Sequence, residues 1–414
     1  MPRDRVAVIG AGVAGLTAAY LLQRAHDVTL FEAEARLGGH AHTHDLDAVS
    51  VDSGFIVHNE ATYPNLLRLF GELGVATQDS EMSMSVRDES TGLEYAGARG
   101  AAGLFAQRRN LANPRHLGML AEVLRFHRAA RRVLDGHTEL DEEVTFGEFL
   151  ARHRFSRYFV DTFAVPVVSA VWSSGAELSM QYPARYLFAF LANHGLLSVG
   201  GSHQWKTVVG GSARYVERAA KGLSAVEVST PVRTIARHDD GIEVRDDADV
   251  AHAFDRVVVA THAPTALSLL AVPTAAERAV LGAFEYSANE TWLHTDTSVL
   301  PRAAGARASW NLLRVPGEER VLVSYDMTRL MRLPGDETYV VTLNATDRVD
   351  PSTVIARMDY EHPAYTPASV AAQRELPTLN DRRFAYAGAY HGWGFHEDGC
   401  AAGVRAAASL GVTW

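Results

Sequence analysis

Residues 5–15 read RVAVIGAGVAG, and residues 27–32 read DVTLFE. The first stretch opens with apolar, β-branched residues that predict a buried strand over Arg5–Ile9. The pattern G-x-G-x-x-G follows in Gly10, Gly12 and Gly15. A helical pattern comes next, and Asp27–Phe31 predicts a second strand. This order of strand, glycine-rich turn, helix and strand is typical of an α/β domain that binds a dinucleotide.

Each glycine of this turn has its own physical role. Gly10 permits a tight turn, Gly12 lets the backbone approach a pyrophosphate, and Gly15 lets helix and strand pack closely. The free N–H groups at the start of the helix favour phosphate. Glu32 ends the second strand, where it can accept hydrogen bonds from ribose hydroxyls and repel a 2′-phosphate. We therefore predict that a dinucleotide contacts Gly10, Gly12, Ala14, Gly15, Glu32 and Ala33.

A second glycine pair distinguishes between NAD and FAD. The segment Arg36–His40, RLGGH, follows Glu32 after three residues. It resembles the R-x-G-G segment of the flavin amine oxidase and phytoene desaturase superfamily, which NAD-binding proteins do not usually carry. Paired glycines allow a ligand close to the backbone, and a guanidinium can offset pyrophosphate charge. The resemblance implies FAD, held noncovalently, with contacts from Arg36, Gly38, Gly39 and His40.

Further segments resemble the same superfamily. Residues 51–57, VDSGFIV, resemble the stretch that passes the flavin ring. Residues 210–212, GGS, resemble an internal glycine pair, and Val232 lies in a strand that resembles the adenine-side strand. Residues 386–399, YAGAYHGWGFHEDG, resemble the segment that places a positive helix end against the flavin O2/N1 edge. The implied further contacts are Gly54, Phe55, Ile56, Val57, Val232, Gly388, Ala389, Phe395 and His396.

The predicted fold is α/β, with a discontinuous Rossmann-type FAD-binding domain of residues 1–95, 205–270 and 374–414. Residues 96–204 and 271–373 are predicted to form an amine-oxidase-like substrate-binding domain of mixed sheet and helices. Its helical insertion includes Asn110–Asp135, in which Leu117, Leu120, Ala121 and Leu124 form one apolar stripe. Thr145 and Glu148 have the spacing of a capping box before another helix.

Bulk properties exclude several classes of protein. The chain has 414 residues, a formal net charge of −10 and no long basic run, which argues against a nucleic-acid partner. A single cysteine, Cys400, cannot form an internal disulfide, so we expect a reducing, cytoplasmic setting. No stretch reaches the ~18 apolar residues of a membrane helix, which leaves at most peripheral membrane contact. His40, His42 and His44 alternate, but no acidic cluster accompanies them, and no metal site is predicted.

The chain departs from the amine oxidase pattern near the flavin. Amine oxidases often carry a lysine beside flavin N5, on the strand that corresponds to Tyr286–Leu293. This chain offers only Asn289, Glu290 and Thr291 there. Ala389 replaces the acid of many members, and Trp393 and Phe395 supply rings without a clear tyrosine pair. The surroundings of Cys400 do not match the motif for covalent flavin attachment, and a small buried residue is expected there.

Polar residues beside the flavin-like segments are the candidates for acid–base catalysis: His58, His391, His396 and Glu397. The alternative is that they hydrogen-bond the cofactor or the backbone. Residues 155–197 are apolar and aromatic, and they include Tyr182, Tyr186, Phe188 and Phe190. This block predicts either the core of a helical domain or, for some residues, the wall of a substrate channel.

The strings VDSGFIVHNE and GFHEDG resemble a bacterial subfamily of FAD-dependent oxidoreductases associated with cyclopropane-fatty-acid-synthase-like methyltransferases. The resemblance implies hydride transfer to flavin N5, with desaturation or isomerisation of an unsaturated or methyl-branched fatty acyl chain. It also implies a possible methyltransferase partner. A flavin amine oxidase and a non-catalytic flavin-binding partner protein are the alternatives.

Overall fold

The computed structural model describes residues 3–172, 176–197, 203–317, 321–344 and 347–414. Its strands are β1 (Arg5–Ile9), β2 (Asp27–Phe31), β3 (Thr43–Asp45), β4 (Ser50–Asp52), β5 (His58–Asn59), β6 (Thr77–Ser80), β7 (Met84–Asp88), β8 (Leu93–Gly97), β9 (Trp205–Val208), β10 (Ala225–Glu227), β11 (Val232–Arg237), β12 (Ile242–Asp246), β13 (Ala251–Phe254), β14 (Arg256–Val259), β15 (Glu285–His294), β16 (Trp310–Arg314), β17 (Leu322–Asp326), β18 (Val340–Leu343), β19 (Val354–Ala364) and β20 (Phe384–Tyr386).

The α-helices are α1 (Val13–Leu22), α2 (Pro64–Leu73), α3 (Gly100–Leu104), α4 (Pro114–Leu134), α5 (Phe146–Arg152), α6 (Arg157–Phe159), α7 (Val165–Trp172), α8 (Ala176–Gln181), α9 (Ala184–Asn193), α10 (Ala213–Ala220), α11 (Ala263–Leu269), α12 (Ala275–Leu281), α13 (Met327–Met331), α14 (Pro367–Glu375) and α15 (His396–Ser409). A π-helix spans Val160–Ala164, and short 3₁₀ helices include Arg108–Ala112 and Ala389–His391.

A parallel sheet with the strand order β10-β2-β1-β14-β20 carries the glycine-rich turn. The two strands predicted first, β1 and β2, have the expected bounds and pair from Arg5 with Asp27 to Ile9 with Phe31. β1 lies between β2 and β14, so the strand order reverses there. Ligands of such sheets bind outside the carboxyl ends of the strands at this reversal. The sheet confirms the predicted α/β class, and the domain boundaries stay a prediction.

The first and last long helices, α1 and α15, pack against each other through glycines. A Cβ atom on Gly399 would lie 2.7 Å from a methyl group of Val13. A Cβ atom on Gly403, one turn later, would collide with the carbonyl oxygen of Ala14 and reach Thr17. The contacts therefore advance in the same direction along both helices, which makes them parallel. Their N-termini lie side by side at the carboxyl edge of the sheet.

A second sheet has seven strands in the order β19-β15-β18-β17-β16-β7-β8. Its longest ladder joins β15 and β19, antiparallel, with Glu285 opposite Ala364 and Asn289 opposite Tyr360. No sequence pattern was assigned to β19, although its burial alternates along Val354–Ala364. Two smaller groups, β3-β4 and β5-β9-β6, connect the parallel sheet with this second sheet.

Helices α4 to α9 form an aromatic layer on the second sheet. Phe126, Phe149 and Phe188 lie within T-shaped contact of each other, with Phe149 and Phe188 4.7 Å apart. Tyr182, Phe188 and Phe190 are at most 1% exposed, which favours the interpretation of this block as a core. Thr145 and Glu148 form the predicted capping box of α5. Residues 173–175 of the block lie outside the described residues.

Of the predicted apolar stripe of α4, only Leu120 packs against this core, and it is half-buried. Leu117 and Leu124 are 43% and 42% exposed. The buried face of α4 instead carries Met119, Phe126, Ala130 and Val133. The helix has two apolar stripes, and the larger aromatic and thioether side chains bury more area against the aromatic layer.

No helix within the described ranges is long and apolar enough to cross a membrane.

Candidate functional site

The turn after β1 is held by hydrogen bonds to the end of β2. Gly10 has a φ of +97°, and its N–H donates to the carbonyl of Phe31 at 2.8 Å. Glu32 accepts a hydrogen bond from the N–H of Ala11 at 2.8 Å and one from the N–H of Glu34 at 3.0 Å. Each carboxylate oxygen keeps a further lone pair. Glu32 therefore braces the turn and can still bind a ribose hydroxyl.

Gly12 and Gly15 differ in what surrounds them. A Cβ atom on Gly15 would collide with the carbonyl oxygen of Gly10, so this glycine is needed for the fold itself. A Cβ atom on Gly12 would meet no protein atom within 4 Å. Gly12 is also the N-cap of α1, and because glycine has no side chain, no side-chain cap covers the first N–H groups of the helix. The free space at a helix N-terminus fits a pyrophosphate.

The R-x-G-G segment lies directly against this turn. The N–H of Gly38 donates to the carbonyl of Ala11 at 2.9 Å, and Gly38 has a φ of +110°. Arg36 donates from Nη1 to the carbonyl of Gly39 at 2.7 Å and pairs with Glu34 at 3.1 Å. The structure thus gives Arg36 a role in holding the glycine pair. Its contact with a pyrophosphate stays a prediction.

The start of β11 lies beside Glu32, on the side where the adenosine is predicted. The N–H of Thr230 donates to the carbonyl of Glu32 at 2.9 Å, and the N–H of Ser229 donates to that of Glu34 at 2.9 Å. These bonds bring Val232 and the exposed Ala33 to one edge of the site. At the other end, Gly388 and Ala389 follow β20, and the N–H of Gly394 donates to Ala389 at 3.2 Å.

The VDSGFIV segment runs along the R-x-G-G segment. The N–H of Phe55 donates to the carbonyl of His40 at 2.7 Å, and a Cβ atom on Gly54 would collide with that carbonyl. The carbonyl of Ile56 accepts from Thr207 at 2.8 Å, and Val57 packs at the edge of the core. Asp52, which the sequence analysis missed, accepts hydrogen bonds from the N–H and hydroxyl of Ser212 and thereby ties this segment to residues 210–212.

His396 and Phe55 form the contact between the ring-side segment and α15. Their rings stack at 3.8 Å with an angle of 8°. His396 is the first residue of α15, and its Nε2 lies 2.8 Å from the Tyr215 hydroxyl in a hydrogen bond. Burial lowers the pKa of His396 to about 3, so the imidazole is neutral at physiological pH. The N-terminus of α15 thus carries a neutral, oriented ring.

His40 carries a buried polar atom that lacks a protein partner. Among the described residues, none hydrogen-bonds its Nε2, and the ring stacks on Tyr360 at 4.9 Å. Burial holds the pKa of His40 well below its usual range. Buried polar atoms are nearly always satisfied, so this atom points to a ligand or water beside Gly39. Together with the free space at Gly12, it shows that the residues fit a bound cofactor.

The strand that carries a lysine in many amine oxidases presents an amide in this chain. Asn289 is 1% exposed, and its Nδ2 lies 3.0 Å from Nδ1 of His362 and donates to the carbonyl of Ser287 at 2.9 Å. Asn344 donates to the Asn289 carbonyl oxygen at 2.7 Å. Burial lowers the pKa of His362 to about 4, and its ring lies 5.5 Å from that of His40. This side of the site is therefore polar but uncharged.

The other two candidates on β15 do not join this group. Glu290 is exposed and accepts a hydrogen bond from the Trp292 indole at 2.9 Å. Thr291 donates to the carbonyl of Asn289 at 3.0 Å. Only Asn289 of the three is both buried and beside the histidines.

The four candidates for acid–base catalysis have different surroundings. Glu397 accepts hydrogen bonds from the N–H of Asn65 at 3.0 Å and of Leu66 at 2.9 Å, so it holds the N-terminus of α2. This favours a structural role. His58 is fully buried, and neither ring nitrogen has a partner among the described residues. Nε2 of His391 is likewise buried and unpartnered. Catalysis by His58, His391 or His396 stays a prediction.

An aromatic wall precedes α15, formed by Tyr186, Phe190 and His194 of the α9 region with Trp393 and Phe395. Phe190 stacks on Phe395 at 5.0 Å, and Trp393 lies 6.0 Å from Phe190. Tyr186 donates its hydroxyl to the carbonyl of Gly392 at 2.8 Å. The sequence analysis named the α9 residues Tyr186 and Phe190 in one segment and Trp393 and Phe395 in another. It gave no signal for their contact or for His194, which lies 5.4 Å from Phe395.

The alternating histidines form hydrogen bonds to other side chains. Nδ1 of His42 lies 3.0 Å from the Tyr360 hydroxyl, and Nε2 of His44 lies 2.9 Å from the Ser53 hydroxyl. Within the described ranges, no group of three or more His, Cys, Asp or Glu side chains is arranged to hold a metal ion.

Cys400 is expected to form no bond with the flavin. It lies in α15, fully buried on the side that packs against α1, and the hydroxyl of Thr17 in α1 donates to its sulfur at 3.5 Å. Burial raises the pKa of the thiol to about 12, so the nucleophilic thiolate is absent at neutral pH. Acid precipitation should release all flavin into the supernatant. Flavin that stays in the pellet of the unmodified protein, but not of Cys400→Ser, would contradict this prediction.

Comparisons with known proteins agree with this geometry. The family model for flavin containing amine oxidoreductase matches residues 13–410. The putative flavin-containing monoamine oxidase AofH of Mycobacterium tuberculosis is 32% identical over 260 residues, which are 60% of this chain and 55% of that protein. Protoporphyrinogen oxidase 2 of Arabidopsis thaliana is 29% identical over 220 residues, 51% of this chain and 41% of that protein. The chain thus spans about half the length of these curated relatives.

Solved structures share the fold at low sequence identity. Cyclohexylamine oxidase from Brevibacterium oxydans has a TM-score of 0.71 at 17% identity and covers 99% of both chains. A fatty acid isomerase from P. acnes has a TM-score of 0.69 at 16% identity and covers 97% of both chains. The match confirms the predicted fold and the flavin cofactor: the chain belongs to the flavin-containing amine oxidoreductase family.

Proposed function

We propose that the protein oxidises or isomerises an uncharged, apolar substrate, an unsaturated or methyl-branched fatty acyl chain. The observation that carries this proposal is the uncharged polar group of His40, Asn289 and His362, at the position where many amine oxidases carry a lysine. The family membership supports a flavin-dependent oxidoreductase and leaves the choice of substrate to this proposal.

The chain's own residues would hold FAD at two helix ends. Gly12 and the N-terminus of α1 would take the pyrophosphate, and the N-terminus of α15 would face the ring. His40 would donate to or accept from the cofactor with the ring nitrogen that lacks a protein partner. When bound, FAD would supply a hydride acceptor at N5. The protein would then hold a substrate carbon at about 3–3.5 Å from that atom.

The residues around the ring favour a neutral substrate. Burial lowers the pKa values of His362 and His396 to about 4 and about 3, so neither imidazole carries a charge at neutral pH. Asp398, close to the aromatic wall, accepts the N–H of Phe395 at 2.9 Å, and burial raises its pKa to about 7. At neutral pH this carboxyl is only about half ionised, so a cationic amine would lose its hydration in exchange for a partly ionised counter-ion.

A flavin amine oxidase is the second candidate. Trp393 and Phe395 could attract an ammonium group by cation–π interaction, without any carboxylate. The similarity to a putative monoamine oxidase supports this candidate, and the shared fold with a fatty acid isomerase is compatible with the first. A methyltransferase partner rests only on the resemblance of the VDSGFIVHNE and GFHEDG strings, and it remains part of the proposal.

Spectra of the purified, flavin-loaded protein should separate these functions. Long-chain unsaturated or methyl-branched acyl lipids are expected to shift the flavin spectrum, and the right lipid should leave with a changed double-bond pattern by mass spectrometry. Rapid anaerobic bleaching by a primary or secondary amine, with aldehyde and peroxide formed in air, would replace the acyl proposal with the amine candidate. A flavin that responds to neither panel would indicate a non-catalytic binding protein.

A variant pair tests whether the aromatic wall binds the chain. Phe190→Leu should weaken binding of the responsive lipid about three- to tenfold, since an aromatic contact contributes about 0.5–1.5 kcal/mol beyond its buried area. The control Phe126→Leu makes the same substitution in α4, at a phenylalanine that contacts Phe146 and Phe188 in the aromatic layer. It should leave lipid binding unchanged. Equal effects of both variants would argue against the wall as the binding site.

A further inference from the structure

The outward side of α4 exposes leucine side chains to solvent. Leu117 and Leu124 lie one heptad apart and are 43% and 42% exposed, with the exposed Ala121 between them. Leu111, in the 3₁₀ helix just before α4, is 59% exposed. We refer to Leu111, Leu117, Ala121 and Leu124, with Arg128, Arg131 and Arg132 on the same side of the helix, as the outer face of α4. An apolar row on a long exposed helix normally has a partner.

The same face is strongly basic in an acidic protein. Residues 108–134 contain seven arginines, all exposed: Arg108, Arg109, Arg115, Arg125, Arg128, Arg131 and Arg132. The only acid in this range is Glu122, which is bound by Arg125 and by Ser156. The segment thus carries a net charge of 7 − 1 = +6, in a chain whose total is −10. Its partner must therefore be anionic.

Several of these arginines form no ion pair with an acidic side chain of the described residues. Among the described residues, Arg108, Arg128, Arg131 and Arg132 make no ion pair. Five acidic residues follow α4 between Asp135 and Glu143, so the excess of positive charge is confined to residues 108–134. Glu142 in that stretch pairs with Arg374 at 2.7 Å. The guanidinium groups of Arg128, Arg131 and Arg132, close together near the C-terminal end of the helix, are thus available to bind anions.

We propose that the outer face of α4 binds the surface of an anionic lipid membrane. A helix that combines exposed leucines with arginines lies in the interface plane, with its apolar side chains among the acyl chains and its cations at the headgroups. Nucleic acid would use the arginines but would leave the leucines without a role. The leucines therefore favour an anionic lipid surface over nucleic acid as the partner.

The opposite side of α4 connects this surface to the site. Phe126 of α4 packs against Phe188 of α9 at 5.7 Å. The same helix α9 supplies Tyr186 and Phe190 to the aromatic wall before α15. One helix thus lies between the outer face of α4 and that wall. Membrane binding goes beyond the proposed function and does not depend on it.

Vesicle co-sedimentation of the flavin-loaded protein tests the surface. We expect about tenfold or stronger partition onto phosphatidylcholine vesicles that contain phosphatidylglycerol, compared with phosphatidylcholine alone, and a loss of this preference in high salt. The triple change Arg128→Glu, Arg131→Glu and Arg132→Glu should abolish it. The pair Leu117→Ser and Leu124→Ser should reduce binding severalfold at constant charge.

Two control variants and one competing ligand make the test decisive. Arg382→Glu reverses an exposed charge elsewhere, and Val272→Ser removes a side chain that is 79% exposed; neither should change vesicle binding. Unchanged flavin content and melting temperature would show that the variants are folded. Absence of binding to anionic vesicles would overturn the proposal. So would arginine-dependent, leucine-independent binding of duplex DNA or RNA. The vesicle assay measures binding and not turnover. Its outcome therefore does not affect the lipid and amine experiments that test the proposed function.

Discussion

Replacement of Gly12 by valine should give a folded protein that contains no flavin. The added Cβ atom would meet no protein atom within 4 Å, and the φ of −69° at this position suits any residue. The fold therefore has no reason to change. The side chain would instead occupy the space beside the N-terminus of α1, where the pyrophosphate is proposed to bind. We expect flavin absorbance per protein to fall by at least about tenfold, since every 1.4 kcal/mol of lost binding is a factor of ten.

Two matched variants separate loss of cofactor from loss of fold. A Cβ atom on Gly71, on the exposed side of α2, would also meet no atom within 4 Å, so Gly71→Val should keep both fold and flavin. Gly15→Val should unfold the protein, because its Cβ atom would collide with the carbonyl of Gly10. Circular dichroism reports the fold and absorbance reports the flavin. Full flavin content in a folded Gly12→Val protein would refute this placement of the cofactor.

Mild acid is expected to destabilise the protein steeply. Burial lowers the pKa values of His58 and His362 to about 4, and those of His391 and His396 to about 3. In the unfolded chain each imidazole has a pKa of about 6.5. The stabilising contribution of these neutral rings is complete above pH 6.5 and is lost as the pH falls, because the unfolded state then binds more protons.

The size of this effect follows from the four rings together. Each costs about 1.4 kcal/mol of unfolding free energy per pH unit below 6.5, until the folded ring itself titrates. At a pH of about 5.5 the sum is about 5 kcal/mol, which is comparable with the whole stability of many domains. In urea unfolding at a series of pH values, these four rings should contribute an uptake of about four protons on unfolding, from which the buried Asp398 carboxyl, whose pKa is raised, subtracts about one.

Single histidine variants test the assignment. His391→Gln should reduce the measured proton uptake by about one. A stability that is flat between a pH of about 7 and a pH of about 5 would contradict the prediction, since it would mean that the rings titrate equally in both states.

The predicted cofactor site follows from local sequence because its key contacts are made by backbone. The glycines of residues 10–15 and 38–39 determine where the chain can approach a ligand, whatever packs around them. The direction of a side chain is not local. Arg36 has the identity expected of a pyrophosphate contact, yet its guanidinium holds Gly39 and Glu34. Asp52, Tyr215 and Asn344 were missed for the same reason, because their partners lie far away in the sequence.

Two elements show why a pattern alone can mislead. β19 alternates Arg357, Asp359 and Glu361 with Met358 and Tyr360, which is the pattern of a half-buried strand. Its frequent charges hid that alternation. In α4 the leucine stripe was correctly found, but the helix carries a second apolar stripe, and only the layer beneath it selects which one is buried. The total charge of −10 similarly concealed a local excess of seven arginines over one acid in residues 108–134.

The parallel contact between α1 and α15 also bears on how the protein matures. The helix that receives one end of the proposed cofactor begins at Val13, and the helix that receives the other end begins at His396. During synthesis these two halves of one site emerge at opposite ends of the chain. A nascent polypeptide that has folded its first strands still lacks the second anchor, so it can hold FAD only weakly. Firm cofactor capture therefore requires synthesis at least as far as α15.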